Sequence, residues 1–243
     1  MSIINKFFLI SSLLPSMVIA SNLSPQQVEK LFLRHIDASG GENALMHMES
    51  ISRYGQISFY AQGNLNGIYC YHTDIIYPKK LREQIKGKQI KYDRGTDGVS
   101  FWLWTGAQYE ISEDKDLIGY MCDTAERANR DLLWVKKEAG NFEMILTPPS
   151  WAPNNSQCIQ AKNETKRTYC FDTSTGLLNA LGSSAEYRLE SDWREVGNIM
   201  LPFHLTHYQN GIMVYEIQLD YAKLNEFIPN EQFIKPSSPQ SSC

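Results

Sequence analysis

Two periods of apolar spacing organise this chain: a three-to-four-residue period near the N-terminus and again near residue 120, and a two-residue period almost everywhere else. Val28, Leu31, Phe32, His35 and Ile36 fall on one face of a helix of about four turns. Ser24-Pro25-Gln26-Gln27 supplies its start, with a Ser cap, Pro in the first helical position and Gln three residues after the cap; Gly40-Gly41 supplies its end. A short helical piece is expected over 42–48. From Ile51 the alternation predicts strands over 51–61, 67–77, 81–85 and, after a turn at Asp93-Arg94-Gly95-Thr96-Asp97-Gly98, over 99–104. Ile118, Met121, Ala125, Ala128, Leu132 and Val135 form the stripe of one inserted helix, which Gly140 stops. Strands resume over 142–147, in a pair carrying Cys158 and Cys170, over 177–190, and in a last pair at 199–208 and 212–221. The pattern predicts one long antiparallel sheet of roughly ten strands that curls and buries the stripes of its two helices.

The last pair carries its own register test. A two-residue Asn210-Gly211 turn in regular pairing sets Phe203 against Gln218 and mixes the faces. A three-residue loop, Gln209-Asn210-Gly211, pairs Phe203 with Ile217 and Leu205 with Tyr215, so the loop of three is expected.

The ends narrow the setting. Lys6, the apolar Phe7-Phe8-Leu9-Ile10-Ser11-Ser12-Leu13-Leu14 and Val18-Ile19-Ala20 read as a secretory signal cut after Ala20, and the run falls short of the roughly 20 residues of a membrane span. Residues 1–20 are thus a signal peptide, 21–236 one domain, and 237–243 a Pro/Ser-rich tail. Export permits disulfides. Cys158 and Cys170 flank a polar stretch at Asn163-Glu164-Thr165, so a hairpin turning there opposes them directly and predicts a bridge. Cys70 with Cys122 is a second expected pair, with Cys243 left over.

Charge removes one class of partner. The formal net charge is −4 with Lys and Arg scattered, which argues against nucleic acid. The densest basic stretch, 79–91, alternates with apolar residues and reads as the solvated face of a strand. Catalytic signals are weak as well. The histidines, His35, His47, His72, His204 and His207, form no HExxH pair, and a strand sends His204 and His207 to opposite faces, so no metal site is expected. Asp172-Thr173-Ser174-Thr175-Gly176 reads as a turn between strands. Asp37, Glu42, Glu110 and Glu113 show no pairing that would make an acid–base dyad. No enzyme and no cofactor are expected.

A set of motifs in order carries a family resemblance. Asp37-Ala38-Ser39-Gly40-Gly41 ends the first helix; Tyr77-Pro78-Lys79-Lys80-Leu81-Arg82 and Asp97-Gly98-Val99-Ser100-Phe101-Trp102-Leu103 follow; then come Leu132-Leu133, Phe142-Glu143-Met144-Ile145-Leu146-Thr147-Pro148, Phe171-Asp172-Thr173-Ser174-Thr175-Gly176-Leu177-Leu178, and Leu201-Pro202-Phe203. In this the chain resembles the LolA/LolB-like lipoprotein carriers. The resemblance implies a mainly β (α+β) fold: a single curved antiparallel sheet forming an unclosed β-barrel, covered by an N-terminal helix and an inserted central helix. It further implies a periplasmic carrier of lipid, acyl chains or lipoprotein, not stably inserted in the membrane. The alternative reading is an envelope protein–protein interaction module that uses the open sheet edge or concave face. The polar residues by which the true carrier opens and closes have no clear counterpart here. Expected to line an apolar cavity are Phe59, Phe101, Trp102, Leu103, Trp104, Leu132, Leu133, Trp134, Phe203 and Tyr215.

Overall fold

The computed structural model describes residues 25–88 and 90–237. Helices α1 (Pro25–Ala38) and α2 (Glu42–Met46) lead into six strands: β1 (Ser50–Ala61), β2 (Asn64–Ile76), β3 (Lys80–Lys86), β4 (Ile90–Thr96), β5 (Phe101–Trp104) and β6 (Tyr109–Ser112). Helices α3 (Lys115–Arg127) and α4 (Asp131–Val135) and a 3-10 turn (Lys136–Asn141) cross to seven more: β7 (Phe142–Ile145), β8 (Ser156–Ala161), β9 (Thr168–Asp172), β10 (Leu178–Gly182), β11 (Glu186–Val196), β12 (Ile199–Gln209) and β13 (Ile212–Leu224). A final 3-10 turn spans Asn230–Phe233. All thirteen strands form one antiparallel sheet, in the order β6-β5-β4-β3-β2-β1-β13-β12-β11-β10-β9-β8-β7. Two meanders of neighbours in sequence meet at a single seam, where β1 pairs with β13, and the sheet stays open between its edges β6 and β7.

Residues paired across strands share a face. One face, here called inner, carries Ile51, Ile57, Tyr71, Ile75, Leu81, Ile85, Phe101, Leu201, Phe203, Ile217 and Leu219, and Met121, Ala125 and Leu133 of the helical crossing pack into the same core. The other end of this face is covered by α1. Its stripe, Val28, Leu31 and Phe32, meets Phe142, Ile159, Tyr169 and Phe171. Phe32 stands edge-on to three of these rings, at centroid distances of 5.6 Å, 6.3 Å and 6.1 Å, the arrangement the ring quadrupole favours. The amphipathic stripes therefore cover the sheet where the alternation predicts an apolar face. Trp151 and Ala152 cap Cys158, Cys170 and Ala180 on the outer side.

The bridge between Cys158 and Cys170 forms, and the two residues are direct cross-strand partners with Cα atoms 4.1 Å apart. The second expected pair does not form: Cys122 carries a free thiol, while Cys70 is disulfide-bonded. Cys243, the signal segment, the Ser24 cap and most of the tail lie outside the described residues.

Five sequence readings are corrected. The inserted helix is two, because Asn129 takes a left-handed conformation (φ 59°) between α3 and α4. Residues 177–190 hold two strands of a hairpin, β10 and the start of β11. The expected turn at 93–98 is largely β4, and its polar Asp93 is fully buried as the partner of Arg82, at 3.0 Å. For the same reason the basic stretch does not form a solvated face. Arg82 and Gln84 are both buried: Gln84 donates to Asp93, and Arg82 donates to the side chain and backbone carbonyl of Gln232 in the C-terminal segment. The last hairpin turns on two residues, Asn210 and Gly211, both at positive φ (50° and 76°), as a type I′ turn requires. A bulge between His207 and Tyr208 then resets the register, so that Leu205 faces Ile217 and His207 faces Tyr215. The faces match as the pattern demands, through an extra residue in β13 instead of a longer loop.

Candidate inner-face binding site

The inner face of β1, β2, β3, β4 and β13 holds an open cavity of about 500 Å³, lined by Ile57, Phe59, Asn66, Tyr69, Tyr71, Glu83, Ile85, Tyr92, Tyr215 and Ile217. Strand alternation builds it: Ile57 and Phe59 of β1 project beside their cross-strand neighbours Tyr69 of β2 and Ile217 and Tyr215 of β13. Phe59 stands edge-on to Tyr69 at 5.8 Å and to Tyr215 at 6.3 Å. Tyr215 is stacked in turn on His207, at 4.7 Å and 9° between planes. The wall is therefore a continuous set of rings and branched aliphatic side chains. Its single carboxylate, Glu83, is neutralised by Arg94 at 2.9 Å, and Arg94 also lies over the Tyr92 ring at 5.2 Å.

The tyrosine hydroxyls are adapted to this setting. Burial pushes Tyr71 well above the usual phenol range and Tyr92 up to about 12, and it also raises Tyr215; nearby Glu83 adds to each. All three stay neutral at any ordinary pH, so they offer apolar ring faces with hydrogen-bonding tips.

A second cavity of similar volume, about 510 Å³, lies between the helices and the sheet. It is bounded by His35, Ile36, Leu45, Leu132 and Leu133 from the helices and by Tyr169, Leu178, Leu181, Trp193, Leu201 and Leu205 from the strands. Charged side chains also line it, among them Arg53, Arg130 and Arg188. Tyr77 donates its hydroxyl to the Ala128 carbonyl at 2.7 Å, fastening the C-terminal end of α3 to the sheet.

The expected cavity residues divide accordingly. Phe59 and Tyr215 line the open cavity, and Leu132 and Leu133 line the helix-covered one. Phe101, Leu103 and Phe203 are on the inner face but belong to the core beside the cavities. Trp102 and Trp104 point to the outer face. Trp102 is fully buried there and donates its indole N–H to the Phe233 carbonyl at 2.8 Å, while Trp104 packs on Tyr109 at 5.0 Å. Trp134 lies against Lys137, 4.5 Å from Nζ to ring, and lines neither cavity. Among residues not anticipated, Ile57, Tyr69, Tyr71 and Ile85 follow from the parity of their strands. Tyr92 could not, since its strand reads as a turn.

The side chains nearest in kind to a catalytic set are on the outer face and are arranged for another purpose. Ser52 Oγ donates to Asp74 Oδ1 at 2.6 Å, and His72 Nε2 meets the same oxygen at 2.9 Å. A carboxylate between hydroxyl and imidazole leaves the ring unable to take the hydroxyl proton, so the trio is a strand-to-strand clamp. His204 and His207 do occupy opposite faces, paired with Glu216 at 3.4 Å and Glu186 at 3.1 Å. The Asp172 turn forms as expected: its carboxylate accepts from the Ser174 and Thr175 N–H groups and is held down to about 2 by hydrogen bonds, first that of the Ser174 hydroxyl.

No family model matches the chain, and no curated protein matches its sequence. Solved structures match its fold. A DUF1329 family protein from Desulfovibrio piger superposes with a TM-score of 0.52 at 8% identity, covering 86% of this chain and 96% of its own. A LolA superfamily protein from Nitrosomonas europaea gives 0.51 at 12% identity, covering 88% and 98%. A domain provisionally named an outer membrane lipoprotein-sorting protein, from Vibrio parahaemolyticus, gives 0.52 at 6%, covering 86% and 97%. At such identities the likeness speaks for the fold, and with its open sheet and inner-face helices the chain has a divergent LolA-like fold.

Proposed function

We propose that the protein is an exported, periplasmic carrier or binding protein that holds an acyl chain or comparable apolar group on the inner face of its open sheet, without a chemical step. The observation that carries this reading is the ring-lined cavity of about 500 Å³, a volume within the roughly 300–1,000 Å³ of small-ligand sites. Filling it with a chain of about a dozen methylenes offers on the order of 10 kcal/mol, at about 0.8 kcal/mol each. Association costs at least about 4 kcal/mol, so the surplus of about 6 kcal/mol corresponds to a Kd on the order of tens of micromolar. That strength suits a carrier that must release its cargo. The LolA superfamily neighbour and the lipoprotein-sorting neighbour are consistent with this reading through their fold.

The test is native mass spectrometry of the protein purified from the compartment to which it is exported, followed by organic extraction. Co-purifying lipid or an acylated peptide supports the carrier. A bare mass, with no uptake of an apolar probe, contradicts it and favours docking of an envelope protein on the open edges.

A further inference from the structure

Arginine and carboxylate are not balanced in the helix-covered cavity. Arg53, Arg127, Arg130, Arg167 and Arg188 line it, against Asp123, Asp131 and Glu190. Arg127 engages Asp123 at 2.9 Å and Asp131 at 3.7 Å, and Arg188 engages Glu190 at 2.5 Å. The three carboxylates are therefore taken up by two arginines. Arg130 donates to the Met46 and Met48 carbonyls and stacks 3.8 Å over Tyr77, and Arg167 lies over Tyr169 at 5.5 Å. Arg53 forms no hydrogen bond or ion pair among the described residues, although it is half-buried on the central strand β1, flanked across the sheet by Thr73 and Ala222. Buried donors are in excess as well: Arg130 Nε, Arg188 Nε and Trp193 Nε1 have no acceptor among the described residues. A guanidinium partly withdrawn from water without a counter-ion costs free energy that a ligand oxyanion recovers, and its planar fork suits carboxylate or phosphate.

This donor-rich cavity adjoins the ring-lined one. Arg188, His207 and Tyr215 form one row across β11, β12 and β13, and Tyr215 lines the open cavity. Along β1, Arg53 and Ile57 share a face with only Gly55 between them, about 13 Å apart at about 3.3 Å per residue. We infer that Arg53 binds the oxyanion head, carboxylate or phosphate, of a single-chain anionic amphiphile whose tail lies in the cavity lined by Ile57, Phe59 and Tyr215. This assignment rests on the carrier reading and adds to it a charge and a direction for the cargo.

The experiment is displacement of the neutral fluorescent probe N-phenyl-1-naphthylamine from the full-length exported chain by dodecyl phosphate, dodecanoate and dodecanol, which share a tail. The anionic pair should displace the probe at tenfold or lower concentration than dodecanol. Arg53→Gln should remove most of that advantage while leaving dodecanol unchanged, and Arg53→Lys should keep part of it. Equal displacement by all three in the wild-type protein, which needs no variant to fold, overturns the head site and leaves the apolar carrier standing. Failure of the probe to bind at all, with none of the three amphiphiles binding by calorimetry, overturns both. Calorimetric binding of inorganic phosphate as tight as that of dodecyl phosphate overturns the amphiphile in favour of a free-anion site.

Discussion

Acid should loosen the first helix before it unfolds the rest of the sheet, and His35 is the reason. Its ring is buried between α1 and the sheet, with Nδ1 accepting the Leu178 N–H at 3.0 Å and Nε2 bonded to Ser39 Oγ at 3.2 Å. Burial lowers its pKa from 6.5 to about 4, outweighing the nearby Gly176 carbonyl, and a proton on Nδ1 would also break the bond from Leu178. Above pH 6.5 the ring is neutral both folded and unfolded, and the contribution is fully present. Below it, the unfolded chain takes up a proton that the folded chain refuses until about pH 4, so stability falls as pH drops through that window. A gap of about two and a half pH units, at about 1.4 kcal/mol each, amounts to about 3.5 kcal/mol, of which about 3 kcal/mol is lost by pH 4. The assay is urea denaturation between pH 7.5 and 4 for the wild type and for His35→Asn, whose side-chain oxygen can still accept from Leu178. The wild type should lose about 3 kcal/mol more than the variant over this range. Equal losses would refute the assignment of the acid response to His35.

Three further outcomes follow from the same packing. Replacing both Cys158 and Cys170 by Ala should cost about 3 kcal/mol by the loop-entropy estimate, read as a lower urea midpoint. Asp93→Asn strands Arg82, whose other hydrogen bonds go to Gln232. It should destabilise by about 3–5 kcal/mol and expose the segment after Leu224 to limited proteolysis before the sheet is cut. Trp102→Phe removes the N–H to the Phe233 carbonyl and leaves a void where part of a fully buried ring stood, so it should cost about 2–4 kcal/mol and speed cleavage of that segment without altering probe uptake.

The parts of this fold legible in the sequence were those where burial follows periodicity. The stripe of Val28, Phe32 and Ile36 and the alternation of Ile51 and Ile57 bury as their spacing requires. What escaped was decided by contacts distant in sequence. Asp93 and Arg82 read as surface because nothing local reveals that residues 229–234, some 140 positions away, will cover them, and β4 was missed with them. Trp102 is expected at a cavity because both faces of its strand are apolar, but which face of such a strand meets solvent, helix or tail is set by the whole topology. The hairpin turn shows the same limit: parity fixes which faces meet, while a bulge and a longer loop satisfy parity equally well. The unbalanced arginine Arg53 stands in a strand with no carboxylate at its cross-strand positions, which only the register discloses.

The central claim is that apolar cargo sits on the inner face between β4 and β13, and photo-crosslinking with a diazirine-bearing fatty acid tests it most directly. After irradiation and peptide mapping, adducts should fall on Ile57, Phe59, Tyr69, Tyr71 or Tyr215, and Phe59→Lys, at a half-buried position of the same wall, should suppress them while leaving the thermal transition cooperative. Adducts confined to the outer face, or labelling of Phe59→Lys at the wild-type level, would contradict the account.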